Sequence, residues 1–142
     1  MSTEDNKALA RRANTAGLNQ KNLAIVDVLC APNFVFHNGS ITIQGLEAYK
    51  QFLSMFFTAF PDASFTIEDM ITEGDSVVVR RTVRGTHKGN LLGIPPTGKQ
   101  VTVSEIALLR AANGKFVEVW SNSDDLGMLQ QLGVIPMLGQ AS

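Results

Sequence analysis

"SFTIEDMITEGDSVVVRRTVRGTH", from Ser64 to His87, is the stretch whose reading decides the fold. Before it, apolar residues recur at helical spacing; within it they alternate, break at Glu73-Gly74-Asp75 and resume. Alternation is the period of a strand with one buried face, and a glycine between two such runs gives the freedom a tight turn needs, so this stretch reads as a hairpin. Lys99 to Arg110 and Lys115 to about Ser123 repeat the pattern around Asn113-Gly114, a second hairpin.

Upstream, residues 3 to about 17 have helical composition, with Ser2 or Thr3 able to cap the first free amides. "NQKNLAIVDVLCAP" repeats apolar residues at Leu23, Ile25, Val26, Leu29 and Cys30 and stops at Pro32, which predicts a short second helix. "NFVFHNGSITIQG" reads as one short strand with a polar turn. "GLEAYKQFLSMFFTAFPD" places Leu46, Tyr49, Phe52, Leu53, Phe56, Phe57 and Phe60 on one helical face and ends at Pro61. Three helices, an early strand and four long antiparallel strands predict an α+β domain whose helices lie on one face of a curved sheet. Such a sheet leaves a cone with an open end, and pockets favour that kind of mouth.

Composition narrows the function. The 142 residues fit one domain spanning 1–142, and 44% hydrophobic with 18% charged residues describes a chain that packs a core. Twelve basic and thirteen acidic side chains give a net charge of −1, so no field collects nucleic acid or an anionic membrane surface. The apolar runs are too short to cross a bilayer and the start, "MSTEDNK", is polar, so a cytoplasmic location is expected. The single cysteine, Cys30, excludes an internal disulfide and reads as a small buried hydrophobe.

"GTHKGNLLGIPPTGKQV", Gly85 to Val101, joins the two hairpins. Its glycines do not precede a helix in phosphate-loop order, so nucleotide binding is not supported. Pro95-Pro96 stiffens the loop and Gly98 permits a tight reversal into the next strand. The loop is expected to form part of a rim, with "NLLGI" folding over the opening.

The same loop, with "AFPD" at 59–62, "EGD" at 73–75, "VRGTHKG" at 83–89, "NGKFVEVW" at 113–120 and "DLGMLQQLG" at 125–133, resembles the SnoaL-like polyketide cyclases, or ester cyclases. "FVFHNGS" and "GLEAYKQFL" match earlier positions in the same order. The resemblance implies the cone-shaped nuclear transport factor 2-like fold and an intramolecular aldol condensation that uses neither metal nor organic cofactor. It also implies an acid/base aspartate four residues after the tryptophan of the E-x-W element, which is Asp124 here. A second polar catalytic position fourteen residues earlier is Arg110, and histidine positions common in the family are His37 and His87. The fold also hosts isomerases, hydratases and plain binding proteins.

Strict alternation in the last strand puts Phe116, Glu118, Trp120, Asn122 and Asp124 on one face, expected to line the pocket, and Val117, Val119, Ser121 and Ser123 on the other. A carboxylate in an apolar pocket holds its proton more tightly and can act as a base near neutral pH. Against this, Asp124 is also placed to cap the helix that follows, and a bulge would shift the register by one. A two-residue Asn113-Gly114 turn gives Asp124 the company of Val103, Glu105 and Ala107; a three-residue loop brings Ile106, Leu108 and Arg110 instead. Arg110 can stabilise an enolate but stays protonated and cannot be the base. His37 and His87 can each donate to a carbonyl oxygen or simply tie a strand end to a neighbour. No close ligand spacing links His37, His87 and Asp124, so no metal is expected.

Arg80 and Arg84 share a strand face, where pairing with Glu118 or Glu105 is expected. Tyr49 is either a pocket donor or a core aromatic with its hydroxyl at the surface. Trp120, Phe56, Phe60, Tyr49, Glu105 and Asn122 form the candidate substrate-binding set. The small residues of "RRANTAG", where family members often carry aromatics, favour a larger cavity, and no aspartate–arginine–aspartate set points to the epoxide hydrolase relatives. The expected function is a cofactor-independent cyclase or isomerase that abstracts a proton beside a carbonyl of an apolar polyketide- or ester-like molecule. The alternatives are a non-catalytic binder of a small apolar ligand and a dimeric interaction protein. Apolar residues on both strand faces, Val77, Val78 and Val79, point to a homodimer or larger assembly.

Overall fold

The computed structural model describes residues 2–136, in the order of elements expected but with one early strand resolved into two. Helix α1, Thr3–Arg12, opens on a capping box: Ser2 Oγ accepts from the Asp5 amide at 3.1 Å and the Asp5 carboxylate accepts from the Ser2 amide at 3.2 Å. It runs on without a break into a wider π-helical segment, Ala13–Asn19. The widening has a visible purpose. Asn14 and Asn19, five residues apart, would point about 140° away from each other on an α-helix. On the π-helical turn both reach the backbone of Phe65, donating to its carbonyl at 3.0 and 2.8 Å, while the Asn19 carbonyl accepts from the Phe65 amide at 2.7 Å.

Helix α2, Ala24–Leu29, is short, and strand β1, Cys30–Asn38, begins before Pro32 is reached. The polar turn Gly39–Ser40 returns the chain as β2, Ile41–Gln44, so the expected single strand is a hairpin. Helix α3, Leu46–Ala59, ends where Pro61 forbids continuation. Then come β3, Ser64–Glu73, β4, Ser76–Thr86, β5, Gln100–Ala112, β6, Lys115–Ser123, and α4, Asp125–Gln131. The sheet order is β2-β1-β6-β5-β4-β3, antiparallel throughout except for the parallel β1–β6 pair. The helices lie on one face of this open, curved sheet.

The inward row of β4 is Val77, Val79, Arg81 and Val83, each buried; that of β5 includes Val103, Ala107, Leu109 and Ala111. Phe34 and Phe36 of β1 and Phe116 of β6 complete a core against α3, and burying each aromatic ring contributes about 2–3 kcal/mol. On the convex side Ile71 and Ile106 stay exposed and Val78 is half-buried. No helix among the described residues is long and apolar enough to cross a membrane.

The loop from Gly85 to Val101 is clamped at its base. The His87 amide donates to the Lys99 carbonyl and the Gly98 amide to the His87 carbonyl, each at 2.9 Å. Farther out, the amides of Lys88 and Gly89 both donate to the Ala59 carbonyl, at 2.9 and 3.2 Å, which docks the loop on the end of α3. A Cβ on Gly89 would overlap the Thr58 carbonyl, so only glycine lets the two backbones approach this closely. Replacing Gly89 with alanine is therefore expected to cost about 1–3 kcal/mol, because neither backbone can retreat. Urea denaturation checks this; an unchanged midpoint would mean that the loop is not seated on α3.

Candidate active site

The contents of the cone depend on how β5 and β6 are registered. Asn113 and Gly114 have φ of 52° and 79°, the left-handed pair of a two-residue hairpin turn, and Ala112 faces Lys115 across it. One step later the ladder slips: Ala111 is opposite Phe116, but Arg110 is opposite Glu118, leaving Val117 as an extra residue in β6. That bulge turns over every later side chain. Val119, Ser121 and Ser123 face the cavity with Leu109, Ala107 and Glu105, while Glu118, Trp120 and Asn122 pair on the outside with Arg110, Leu108 and Ile106.

The expected inner row is corrected accordingly, with only Phe116 of that row inside. Asp124 is exposed and caps α4: its Oδ1 accepts from the Gly127 amide at 2.9 Å, and its own amide donates to the Ser104 carbonyl at 3.0 Å. The structure thus seats it as the helix cap, not in the cavity. The turn has two residues, as one alternative held. The bulge nevertheless produces the pairing that the three-residue alternative required.

Four singled-out residues do meet, on the convex face. His37 lies beside Trp120 in the parallel β1–β6 pair, and the rings stack at 5.1 Å with an 8° tilt. His37 Nε2 contacts Glu118 Oε2 at 2.7 Å, its Nδ1 contacts Thr42 Oγ1 at 3.2 Å, and Arg110 sits over Trp120 at 4.9 Å. This cluster stitches β2, β1, β6 and β5 together. His87 is elsewhere again, completely buried at the base of the clamped loop. Its Nδ1 accepts from the Thr97 amide at 3.2 Å, its ring packs on Phe60 at 5.6 Å, and among the described residues its Nε2 has no partner.

Inside the cone is a cavity of about 310 Å³. Small residues, Ala13, Gly17, Ala63 and Ala107, are part of its lining, where larger side chains would take up space. Ala13 and Gly17 belong to the segment whose small residues favoured a larger cavity. Tyr49, Phe56, Phe60 and Glu105, from the expected substrate-binding set, line it; Leu91, Leu92 and Ile94 of the clamped loop form part of its lip.

The lining is mostly apolar, and its inner polar group is built on an arginine that the sequence reading missed. Arg81, buried, faces Glu105 directly across β4 and β5, with Nε 3.2 Å from Glu105 Oε1. This separation is that of an ion pair, yet the Nε–H is not aligned for a hydrogen bond and remains a buried donor without one. Arg81 Nη1 donates to Asn14 Oδ1 at 3.4 Å, and Ser121 Oγ donates to Glu105 Oε2 at 2.5 Å. The signal was present in the alternation Val79-x-Arg81-x-Val83, a lone charge in an apolar row. Arg80, by contrast, is outside and pairs with Asp69 at 2.7 Å, which corrects its expected pairing with Glu118 or Glu105. Cys30 also lines the cavity, and burial first, then the charge of Asp27, pushes its thiol up to about 12, so it stays protonated. Among the described residues no three His, Cys, Asp or Glu side chains gather to hold a metal ion.

A buried arginine–carboxylate pair with a hydroxyl donor, set in an apolar chamber, can take a proton from carbon and hold the negative charge that results. The sequence model of the SnoaL-like polyketide cyclases matches residues 8–132. Aklanonic acid methyl ester cyclase DnrD of Streptomyces peucetius is 31% identical over 103 residues, covering 72% of this chain and 70% of that protein. Nogalonic acid methyl ester cyclase of Streptomyces nogalater is 30% identical over 90 residues, 63% of this chain and 67% of that one. A solved structure from Jannaschia sp. CCS1, assigned to the SnoaL-like polyketide cyclases, superposes with a TM-score of 0.88 at 25% identity over 94% of this chain and 95% of its own. The fold is the α+β cone of the nuclear transport factor 2-like type.

If Arg81 and Glu105 are held in the cavity as a pair, Arg81→Leu is expected to destabilise the chain by about 3–5 kcal/mol by leaving Glu105 uncompensated. Adding Glu105→Leu should restore most of that loss. A urea double-mutant cycle reads the coupling, and additive costs would show that the two side chains do not interact.

Proposed function

The chain belongs to the SnoaL-like polyketide cyclase family, and on that premise we propose that it closes a ring in a polyketide-like carbonyl compound, with Glu105 as the base. What carries the reading is the Arg81–Glu105–Ser121 group, a set of polar side chains converging inside an apolar cavity of about 310 Å³.

Glu105 removes a proton from the carbon beside a carbonyl, which leaves an enolate. Negative charge passes from the carboxylate to the substrate oxygen, and Arg81 can pair with it in either place. No counter-ion has to be brought in, so the charge shift needs little rearrangement of the surroundings. Ser121 holds one carboxylate oxygen and so fixes the direction of the other. Phe56 and Phe60 offer apolar surface to the body of the substrate, and the lip of Leu91, Leu92 and Ile94 keeps water from the enolate.

The natural probes are the compounds named for the relatives, aklanonic acid methyl ester and nogalonic acid methyl ester. Ring closure by aldol addition leaves the mass unchanged, so a chromatographic shift without a mass change is the expected result. Glu105→Gln should lower turnover by about 10²–10⁴-fold. Asp124→Asn should change it little, because asparagine caps a helix as well as aspartate does. Full activity in Glu105→Gln would sink the assignment, and tight binding of both esters without conversion by the wild type would favour a non-catalytic binder.

A further inference from the structure

The cavity has two polar walls, and the chemistry of Arg81, Glu105 and Ser121 uses only the one on the sheet. The other is Tyr49, on α3, across the chamber. Its ring is wedged against Phe34 and Phe36, with centroids 4.8 and 4.9 Å away, so the hydroxyl is held on a rigid stem. Tyr49 lines the cavity, and among the described residues its hydroxyl has no hydrogen-bond partner. Nor is it one of the sealed polar atoms lacking partners, which are Asn6 Oδ1, Arg81 Nε and His87 Nε2. The phenol oxygen therefore opens on the chamber. An enclosed tyrosine hydroxyl normally finds an acceptor within the protein, and one left over in a ligand-sized cavity is available to a ligand.

The reaction calls for such a group. An aldol closure builds negative charge on two oxygens in turn: the enolate oxygen, then the oxygen of the carbonyl that is attacked. A donor beside one cannot serve the other if the two lie on opposite sides of the forming bond.

We propose that Tyr49 is a catalytic residue of the ring closure, donating a hydrogen bond to the attacked carbonyl while Arg81 holds the enolate from the opposite wall. The steps balance. The α-proton goes to Glu105, and the electron pair it leaves forms the new carbon–carbon bond. The carbonyl π pair moves onto the oxygen that Tyr49 holds, and the proton on Glu105 passes to that oxygen. Nothing is oxidised or reduced, and the enzyme returns to its starting state. Burial above all keeps the Tyr49 phenol well above its ordinary value, so it remains a donor at any working pH.

The assignment rests on the cyclase reading, so its test includes a measurement that needs no turnover. The probe is 9-fluorenone, a rigid apolar ketone, and the readout is the infrared stretch of its bound carbonyl in wild type and in Tyr49→Phe. Phenylalanine keeps the ring contacts with Phe34 and Phe36, and no internal hydrogen bond is lost, so the variant should fold with unchanged stability. The carbonyl stretch is expected at lower frequency in wild type than in the variant, and with either methyl ester kcat should fall about 10²-fold at little cost in KM. An identical stretch in the two proteins, or no uptake of fluorenone by wild type, would overturn the proposal. A lowered stretch beside an active Glu105→Gln would instead retain Tyr49 as a carbonyl donor and reject Glu105 as the base.

Discussion

One extra residue in β6, Val117, decides what the cone contains. Without it, the two-residue turn at Asn113-Gly114 would carry strict alternation to the end of the strand, and Glu118, Trp120, Asn122 and Asp124 would look inward. With it, they look outward, and Ser121 arrives opposite Ala107, within reach of Glu105. With the bulge in place, Asp124 follows the end of β6, where it starts α4, and Trp120 stacks on His37 on the convex side. A slip of one residue thus exchanges a chamber lined with carboxylates and indole for an apolar one with a single ion pair.

That ion pair is costly by itself. Taking two charges out of water stabilises nothing unless their attraction and the surrounding hydrogen bonds offset the desolvation. Here Asn14 and Ser121 supply part of the compensation, and Asn14 lies on the π-helical turn into which α1 widens. The cavity beside the pair is a second expense, kept open by small residues where packing would favour filling. Structures tend to retain such local costs at sites of function, and the rigid supports around this one fit that pattern. His87 belongs to the supports: by taking the Thr97 amide it fixes the base of the loop whose leucines form the lip.

Much of the fold was legible because its signals are local. Alternation after Ser64, the glycine turns, the apolar stripe of α3 and the proline that follows its end each follow from periodicity or backbone restriction, and the architecture follows from their order. The split of β1 from β2 was missed because a four-residue strand has too few residues to show a period. The site was legible only in part. Tyr49, Phe56, Phe60 and Glu105 line the cavity, though the residues alone left open whether Glu105 or Arg110 faces it, whereas Trp120, Asn122 and Asp124 do not, since a bulge leaves no mark in a sequence that reads Lys-Phe-Val-Glu-Val-Trp. Arg81 was passed over for its neighbour Arg80, although its position between Val79 and Val83 marked it as inward. His37 and Arg110 have the residue types of a site, and they do form a cluster, but on the other side of the sheet.

The proposal that chemistry takes place inside the cone at Arg81, Glu105 and Tyr49, with Asp124 as a helix cap, is tested most directly by a crystal of the protein with a bound aromatic ketone. The account expects the ligand's carbonyl oxygen within hydrogen-bond distance of Arg81 or Tyr49, its rings against Phe56 and Phe60, and Asp124 still bonded to the Gly127 amide. A ligand seated against Asp124, or on the convex face at His37 and Trp120, with the cavity left empty, would contradict it.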